Sequence, residues 1–199
     1  MAEFLLFRLG GPMAAWGDVA VGEIRATWSR PSKSAVLGLV ADALGLQRTD
    51  EEALQALYEN LGFAVRVDGG ARTVRPFTDY HTTQTAVTKR NVRHLTRRDE
   101  LNAEDLATIL SDRSYLASAL ATIALWRKAG GAPAWPQIIN ALKHPHFTPY
   151  LGRKSCPLAR PLAPWLVEAT TLAAAFAAYD AKAAELERHL PPALQGQNG

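Results

Sequence analysis

Phe4 to Leu9 is apolar except at Arg8 and is followed by Gly10-Gly11-Pro12, the pattern of a buried strand that leaves its sheet sharply. Val36, Leu37, Val40 and Leu44 recur at helical spacing, with Ser32 as an N-cap and Gly45 as a stop. Gly38 in the middle of this helix costs about 1 kcal/mol relative to alanine, which suggests a close approach of the helix to a sheet. Thr49-Asp50-Glu51-Glu52 has the form of a capping box. It opens a second helix with Leu54, Leu57, Tyr58 and Leu61 on its apolar face and Gly62 at its end. Phe63, Val65 and Val67 alternate with Ala64 and Arg66 as a strand, and Asp68-Gly69-Gly70 is expected to turn it into a hairpin partner around Arg72 to Pro76.

Beyond Pro76 the pattern weakens. Thr82 to about position 100 has few large apolar residues and no helical period, so it reads as an inserted arm ordered by its ligand. Asn102 to Leu110 reads as a short capped helix. Tyr115 to Trp126 favours a strand, although its alanines tolerate a helix. Pro136 to Leu142 is a helix with proline in its first turn and Ile138, Ile139 and Leu142 facing inward. Finally Leu172, Phe176, Tyr179, Ala183, Leu186 and Leu190 form a heptad-like stripe on an alanine-rich helix. Covering its own domain is favoured over contact with a partner chain. Strand, helices, strand and hairpin partner open an α+β fold of ferredoxin-like or RRM-like kind, whose sheet face commonly receives RNA. The expected division is a domain over 1–165 with the arm at about 82–100, a helical segment over 166–190 and a disordered tail over 191–199.

Composition changes this picture in one respect. The net charge of +3 on 199 residues hides a strong asymmetry. From Arg113 to Val167 there is no acid, while Arg113, Arg127, Lys128, Lys143, Arg153, Lys154 and Arg160 are cationic. From Tyr80 to Arg98 there is again no acid, beside Lys89, Arg90, Arg93, Arg97, Arg98, His81 and His94. A polyanion bound on one side accounts for both stretches. A single Cys156 excludes an internal disulfide or a cysteine-based zinc cluster and reads as an inert thiol. His144 and His146 lie in a proline-rich loop without acids, so neither a metal nor any other cofactor is expected. No apolar run is long enough for a membrane helix and Met1-Ala2-Glu3 does not open a signal peptide, so a cytoplasmic location is expected.

Three short stretches carry candidate chemistry. In Pro149-Tyr150-Leu151-Gly152-Arg153-Lys154-Ser155-Cys156-Pro157 the glycine lets backbone approach a ligand. Arg153 and Lys154 neutralise phosphate, and Tyr150 offers a ring for stacking. Ser32-Lys33-Ser34 at a helix start aims free N–H groups, hydroxyls and one cation at a single place, but lacks the glycine run of a nucleotide-binding loop. In Gly11-Pro12-Met13-Ala14-Ala15-Trp16-Gly17, Met13 and Trp16 either plug the core from a loop or line a surface that receives a base or a partner.

With Asp79-Tyr80-His81-Thr82, these motifs occur in an order that resembles the CasD family of type I-E CRISPR Cascade subunits, within the RAMP superfamily. The likeness covers about Phe4 to Leu162. It implies an RRM-like domain with a protruding thumb that holds the 5′ handle of the CRISPR RNA at one end of the complex. The implied neighbours are the backbone subunit and the large subunit, with target DNA reached only through the complex. By position, the basic run after His81 is the thumb, and Lys33 with its serines and the Arg153-Lys154 loop contact the handle. Members of that family continue into further strands past the Pro161 region, where this chain is expected to run into its alanine-rich helix.

A non-catalytic RNA-binding subunit is the leading functional reading. The alternative is a metal-independent endoribonuclease acting on CRISPR precursor RNA, for which Tyr80, His81 and Lys33 supply a base and a phosphate-holding cation. A purely structural adaptor leaves the acid-free stretches unexplained.

Overall fold

The structure is a computed structural model and describes residues 1–17, 20, 22–69, 75–87, 93–128 and 132–188. Arg72, Lys89, Arg90, Leu190 and the expected tail over 191–199 lie outside them. In chain order the elements are β1 (Ala2–Ala14), β2 (Trp16–Gly17), β3 (Ile24–Arg25), β4 (Thr27–Trp28), α1 (Lys33–Leu44) and α2 (Glu51–Asn60). There follow β5 (Leu61–Val67), β6 (Arg75–Ala86), α3 (Arg97–Leu101), β7 (Leu106–Arg127), α4 (Trp135–Lys143), β8 (Trp165–Ala169) and α5 (Leu172–Arg188).

One strand, β7, is the spine of the molecule. Along one edge β1 pairs with it antiparallel, from Leu5↔Leu125 to Ala14↔Leu116, and β8 pairs antiparallel with the far side of β1. Two strands share the other edge: β5 takes the C-terminal half (Leu61↔Arg127 to Val67↔Ala121) and β6 the N-terminal half (Arg75↔Ala117 to Ala86↔Leu106). The sheet is mixed through one short parallel pairing, of β3 with Asp112 and Arg113 of β7.

The unbroken apolar run at the start of β1 follows from the period of a strand. Leu5, Phe7 and Leu9 pack with Ile123 and Leu125 against Val36 and Val40 of α1, Leu57 of α2 and Ile138 of α4. Phe4 and Leu6 take the opposite side, with Ala124 of β7, Val167 of β8 and Ala175 and Tyr179 of α5. Both faces of the central sheet are therefore covered, and Leu172, Phe176 and Tyr179 of the α5 stripe lie on its own domain, as favoured from its sequence. An ion-pair cluster fastens this helix. Arg66 holds Asp180 through two bonds of 2.7 and 2.8 Å and Asp68 at 2.6 Å, while Arg8 lies 3.8 Å from Asp180. The Arg66 bonds pull the Asp180 carboxyl below the usual carboxylate range. Burial pushes the Tyr179 phenol up to about 12, and its hydroxyl donates to the Ala163 carbonyl at 2.8 Å.

Several sequence expectations are corrected. Gly10-Gly11-Pro12 does not end β1, which runs on to Ala14. Gly11 is needed there because a Cβ would come within 2.6 Å of the Pro157 carbonyl. Gly38 faces open space rather than the sheet. The Asp50 side chain caps nothing in α2, since its carboxylate accepts from the Gln47 N–H instead, and the helix ends at Asn60, with Leu61 already the first residue of β5. Of the expected hairpin partner, the described Arg75 and Pro76 do not pair with β5, because β6 continues end to end with it along β7.

Thr82 to Ala86 is strand rather than a structureless arm, and the helix expected over Asn102–Leu110 is displaced. The helix there is α3, capped by Thr96, whose hydroxyl accepts from Asp99 N at 3.1 Å. Leu106 to Leu110 instead continues β7, where Thr108 and Ile109 suit a pleated strand. Finally, β8 crosses the boundary expected at 165/166, so α5 is joined to the sheet by a further strand that the sequence reading missed.

Candidate functional site

The loop over residues 149–157 is pinned before any ligand is considered. Leu151 is fully buried, its N–H donates to the Cys156 carbonyl at 2.8 Å, and its carbonyl accepts from Ala15 N at 3.0 Å, which docks the loop on the end of β1. Gly152 has φ of 84°, and a Cβ on it would sit 1.8 Å from the Ala15 carbonyl oxygen, so only glycine fits. Cys156 is buried among these groups, and burial pushes its thiol up, as expected of an inert cysteine.

The two adjacent cations of the loop point to different tasks. Arg153 turns inward: its guanidinium donates to the carbonyls of Ser114 (3.2 Å) and Arg25 (3.0 Å) and lies 4.7 Å from the Tyr115 ring centre. Tyr115 in turn stacks on Phe77 at 5.4 Å, with ring planes 17° apart. Arg153 thus bolts the loop to the root of the β6–β7 ribbon. Lys154 is exposed and Tyr150 half-buried. Together with Asp42, Gln47, Arg48 and Phe147 they line a groove of about 620 Å³ between the end of α1 and the loop. Sequence reasoning missed Arg48 and Phe147, which lie outside every motif. Their separation in the chain hides that Ala43 and Asp42 accept from the N–H groups of His146 and Phe147.

Ser32 caps α1, accepting from Ala35 N at 3.2 Å, and its hydroxyl lies 3.0 Å from that of Ser34. Lys33 does not complete an anion seat there. Its ammonium donates to the Tyr58 carbonyl, one of the unpaired groups at the end of α2, and lies 4.4 Å from the Tyr58 ring centre. Desolvation and the nearby Lys128 lower its pKa. Trp16 is buried in the core and its backbone N–H donates to Thr27 Oγ1 at 2.8 Å, while Met13 packs half-buried beside it. The core-plug reading of these two residues is the one observed.

The β6–β7 ribbon leaves the body with no third strand among the described residues beyond Asp112. Tyr80 is 71% exposed on it, and His81 Nδ1 is 3.0 Å from the Asp79 carboxylate. Near its tip Arg97 pairs with Glu100 at 2.6 Å and donates to the Gln84 carbonyl. Arg93 and Arg98 are exposed. The Thr85 hydroxyl and Arg97 hold the Glu100 carboxyl below its usual range. No contact among the described residues brings His81 and Lys33 together, and no group of three or more metal-ligating side chains occurs among them. No described helix is long and apolar enough to cross a membrane.

An α+β sheet with a paired ribbon projecting from it and a glycine-pinned basic loop at the ribbon's root is therefore the frame to be matched. Residues 4–192 match the family model described as CRISPR-associated protein (Cas_Cas5), and the chain belongs to that family. The match takes in β8 and α5, beyond the Leu162 limit expected from the motifs. Among individual proteins, the chain is 38% identical over 167 residues to the CRISPR system Cascade subunit CasD of Escherichia coli (strain K12), covering 81% of this chain and 70% of that one. Among solved structures it is similar to a chain of a CRISPR RNA-guided surveillance complex (36% identity, TM-score 0.59, 80% of this chain and 61% of that one). A second is a crystal structure of a Cas protein (28% identity, TM-score 0.53, 87% and 69%). The chain thus spans about three fifths of the surveillance-complex chain it matches.

Proposed function

We propose that the chain is a non-catalytic RNA-binding subunit of a CRISPR surveillance complex that holds the 5′ handle of the CRISPR RNA and caps one end of the backbone. Similarity to CasD of the E. coli Cascade supports the setting. The observation that carries the reading is the ribbon: twelve residues of β6 pair with β7 and end near exposed Arg93 and Arg98, with Lys154 exposed on the loop that Arg153 ties to its root. The strand order β8-β1-β7-β5, with α1 and α2 before β5 and α4 before β8, fits a ferredoxin-like sheet of RRM-like kind, the ribbon being its thumb. Lys89 and Arg90, outside the described residues, belong to the same thumb. The backbone and large subunits are the neighbours, and DNA is met only through the complex.

The rival nuclease reading is weakened by the engagement of its cation, Lys33, at the end of α2. Co-expression with a CRISPR array, followed by sequencing of the RNA that co-purifies, tests binding, and handle-bearing RNA is expected. Incubation of repeat-containing precursor RNA with the protein in EDTA is expected to leave it intact, and cleavage abolished by His81→Ala overturns the non-catalytic assignment. Each thumb cation on a phosphate adds about 0.7 to the slope of log affinity against log salt for a single strand. Changing Lys89, Arg90, Arg93, Arg97 and Arg98 together to Ala is then expected to lower that slope by up to roughly 3.5.

A further inference from the structure

We infer that α5 is an autoinhibitory strap, closed over a second face for single-stranded RNA and filling that face with two rings and one carboxylate of its own. The face is the side of the sheet that carries Phe4, Leu6 and Ala124. The helices α1, α2 and α4 pack on the opposite side, as do Leu151 and Cys156 of the loop over residues 149–157. The inference therefore goes beyond the function proposed above and does not depend on it.

The chemistry beneath the strap is unlike that of an ordinary core. The alternation that puts Phe4 and Leu6 of β1 on this side puts Arg8 there as well. Thr122 of β7 pairs with Arg8 on one side and with Arg66 of β5 on the other, so two guanidiniums stand in one row across three strands. In the next row Ala124 pairs with Leu6 and Ala64, and beyond it the Phe4 and Trp126 rings meet edge to face at 6.1 Å. Cations at one end and rings at the other, with two alanines between them, are the means by which a sheet holds phosphate and stacks bases.

The strap answers these groups in kind. Asp180 accepts both bonds from Arg66 and lies 3.8 Å from Arg8, the place a phosphate would take. The Arg66 guanidinium lies 4.9 Å from the Phe176 ring centre and that of Arg8 5.5 Å from the Tyr179 ring centre, where stacked bases would lie. The rest of its grip is light. Ala175, Tyr179 and Ala183 are the buried side chains among those described in α5, whereas α1 buries Val36, Leu37, Leu39, Val40, Ala41 and Ala43. Asp180 is 43% exposed, so water and salt reach the clasp. With α5 away, two arginines face the single carboxylate of Asp68 and the face is left cationic.

The test uses the full chain and an oligouridylate of about eight nucleotides, which carries no handle sequence. Asp180→Ala removes the clasp and is expected to keep the circular dichroism spectrum of wild type. Hydrogen exchange at the α5 amides is expected to rise by up to about fivefold, the limit for an exposed ion pair. Affinity for the oligomer is expected to rise by the same factor, because both measurements read one opening equilibrium. Adding Arg66→Gln is expected to cancel the gain in affinity while α5 stays loose. In the wild-type chain, saturating oligomer is expected to speed exchange in α5, a measurement that needs no variant to fold. Faster exchange without a gain in affinity, or a gain that survives Arg66→Gln, overturns the latent face. Unchanged exchange in Asp180→Ala overturns the clasp, and wild-type α5 that ignores the oligomer overturns the strap. None of these results bears on the handle, whose proposed contacts are on the loop and the ribbon.

Discussion

β5 and β6 lie along the same edge of β7 with the same antiparallel pairing, yet they inhabit different environments. Where β5 pairs, β7 contributes Ile123, Ala124 and Leu125, all fully buried, and helices cover both faces. Where β6 pairs, β7 presents Leu106, Ile109 and Leu110 at 36 to 48% exposure, and β6 itself has no buried residue. Backbone hydrogen bonding is therefore common to both halves of the spine and does not distinguish them. What differs is apolar surface removed from water. The C-terminal half supports the fold, whereas the N-terminal half is an extension available to something outside the chain.

The comparison breaks most visibly in the buried half. Leu125→Ala is expected to cost about 2 to 5 kcal/mol in denaturant unfolding, because the deleted side chain leaves a cavity between α1 and the sheet. A loss below about 1 kcal/mol would show that the two halves are less different than their burial. Next is Arg153→Lys at the junction of body and ribbon. Lysine keeps the charge but cannot span both carbonyls or lie flat on Tyr115, so stability is expected to fall by about 1 to 3 kcal/mol. If Arg153 served as a phosphate contact alone, the lysine variant would melt like wild type.

A smaller effect is expected from Asp180→Asn, within about 1 kcal/mol at neutral pH because the carboxylate is 43% exposed. Its pH dependence is more telling. A folded-state pKa held down by Arg66 means that this contribution is complete above the unfolded value of about 3.9 and is lost as pH falls through the folded value. The asparagine variant is expected to show a flatter acid limb in a plot of melting temperature against pH. An unchanged limb removes Asp180 as a contributor. The smallest expected change is Ile109→Ala on the ribbon, within about 0.5 kcal/mol in the isolated chain. If the ribbon docks on a partner, the same change is expected to weaken assembly far more than folding.

The body was legible because its signals are local. Ser32 and Gly45 bracket α1 as their chemistry requires, and the run from Phe4 to Leu9 is apolar at every position except Arg8 because a central strand is buried on both sides. The ribbon was not legible, since Thr82 to Ala86 and Leu106 to Leu110 pair without burying a face and so lack the alternation that marks a strand. In the candidate site, sequence drew attention to the loop over residues 149–157 but assigned its cations by type alone. Arg153 and Lys154 are equivalent as charges, and only the positions of the Ser114 and Arg25 carbonyls separate a bolt from a free hand. Lys33 was assigned in the same way, and its carbonyl partner lies on Tyr58, 25 residues further along the chain.

The unsupported pairing of β6 with β7 also makes the ribbon a gauge of length. The six paired residues beyond Asp112, His81 to Ala86, at about 3.3 Å each give it a reach of roughly 20 Å, set by residue count rather than by packing. Removing one residue from each strand would shorten it by about 3.3 Å and turn over every side chain beyond the cut. Removing two from each would shorten it by about 6.6 Å and keep the faces as they are. Spacing between the body and whatever meets the tip can thus be altered in paired steps without rebuilding the domain, a freedom that the buried half of the same strand does not have.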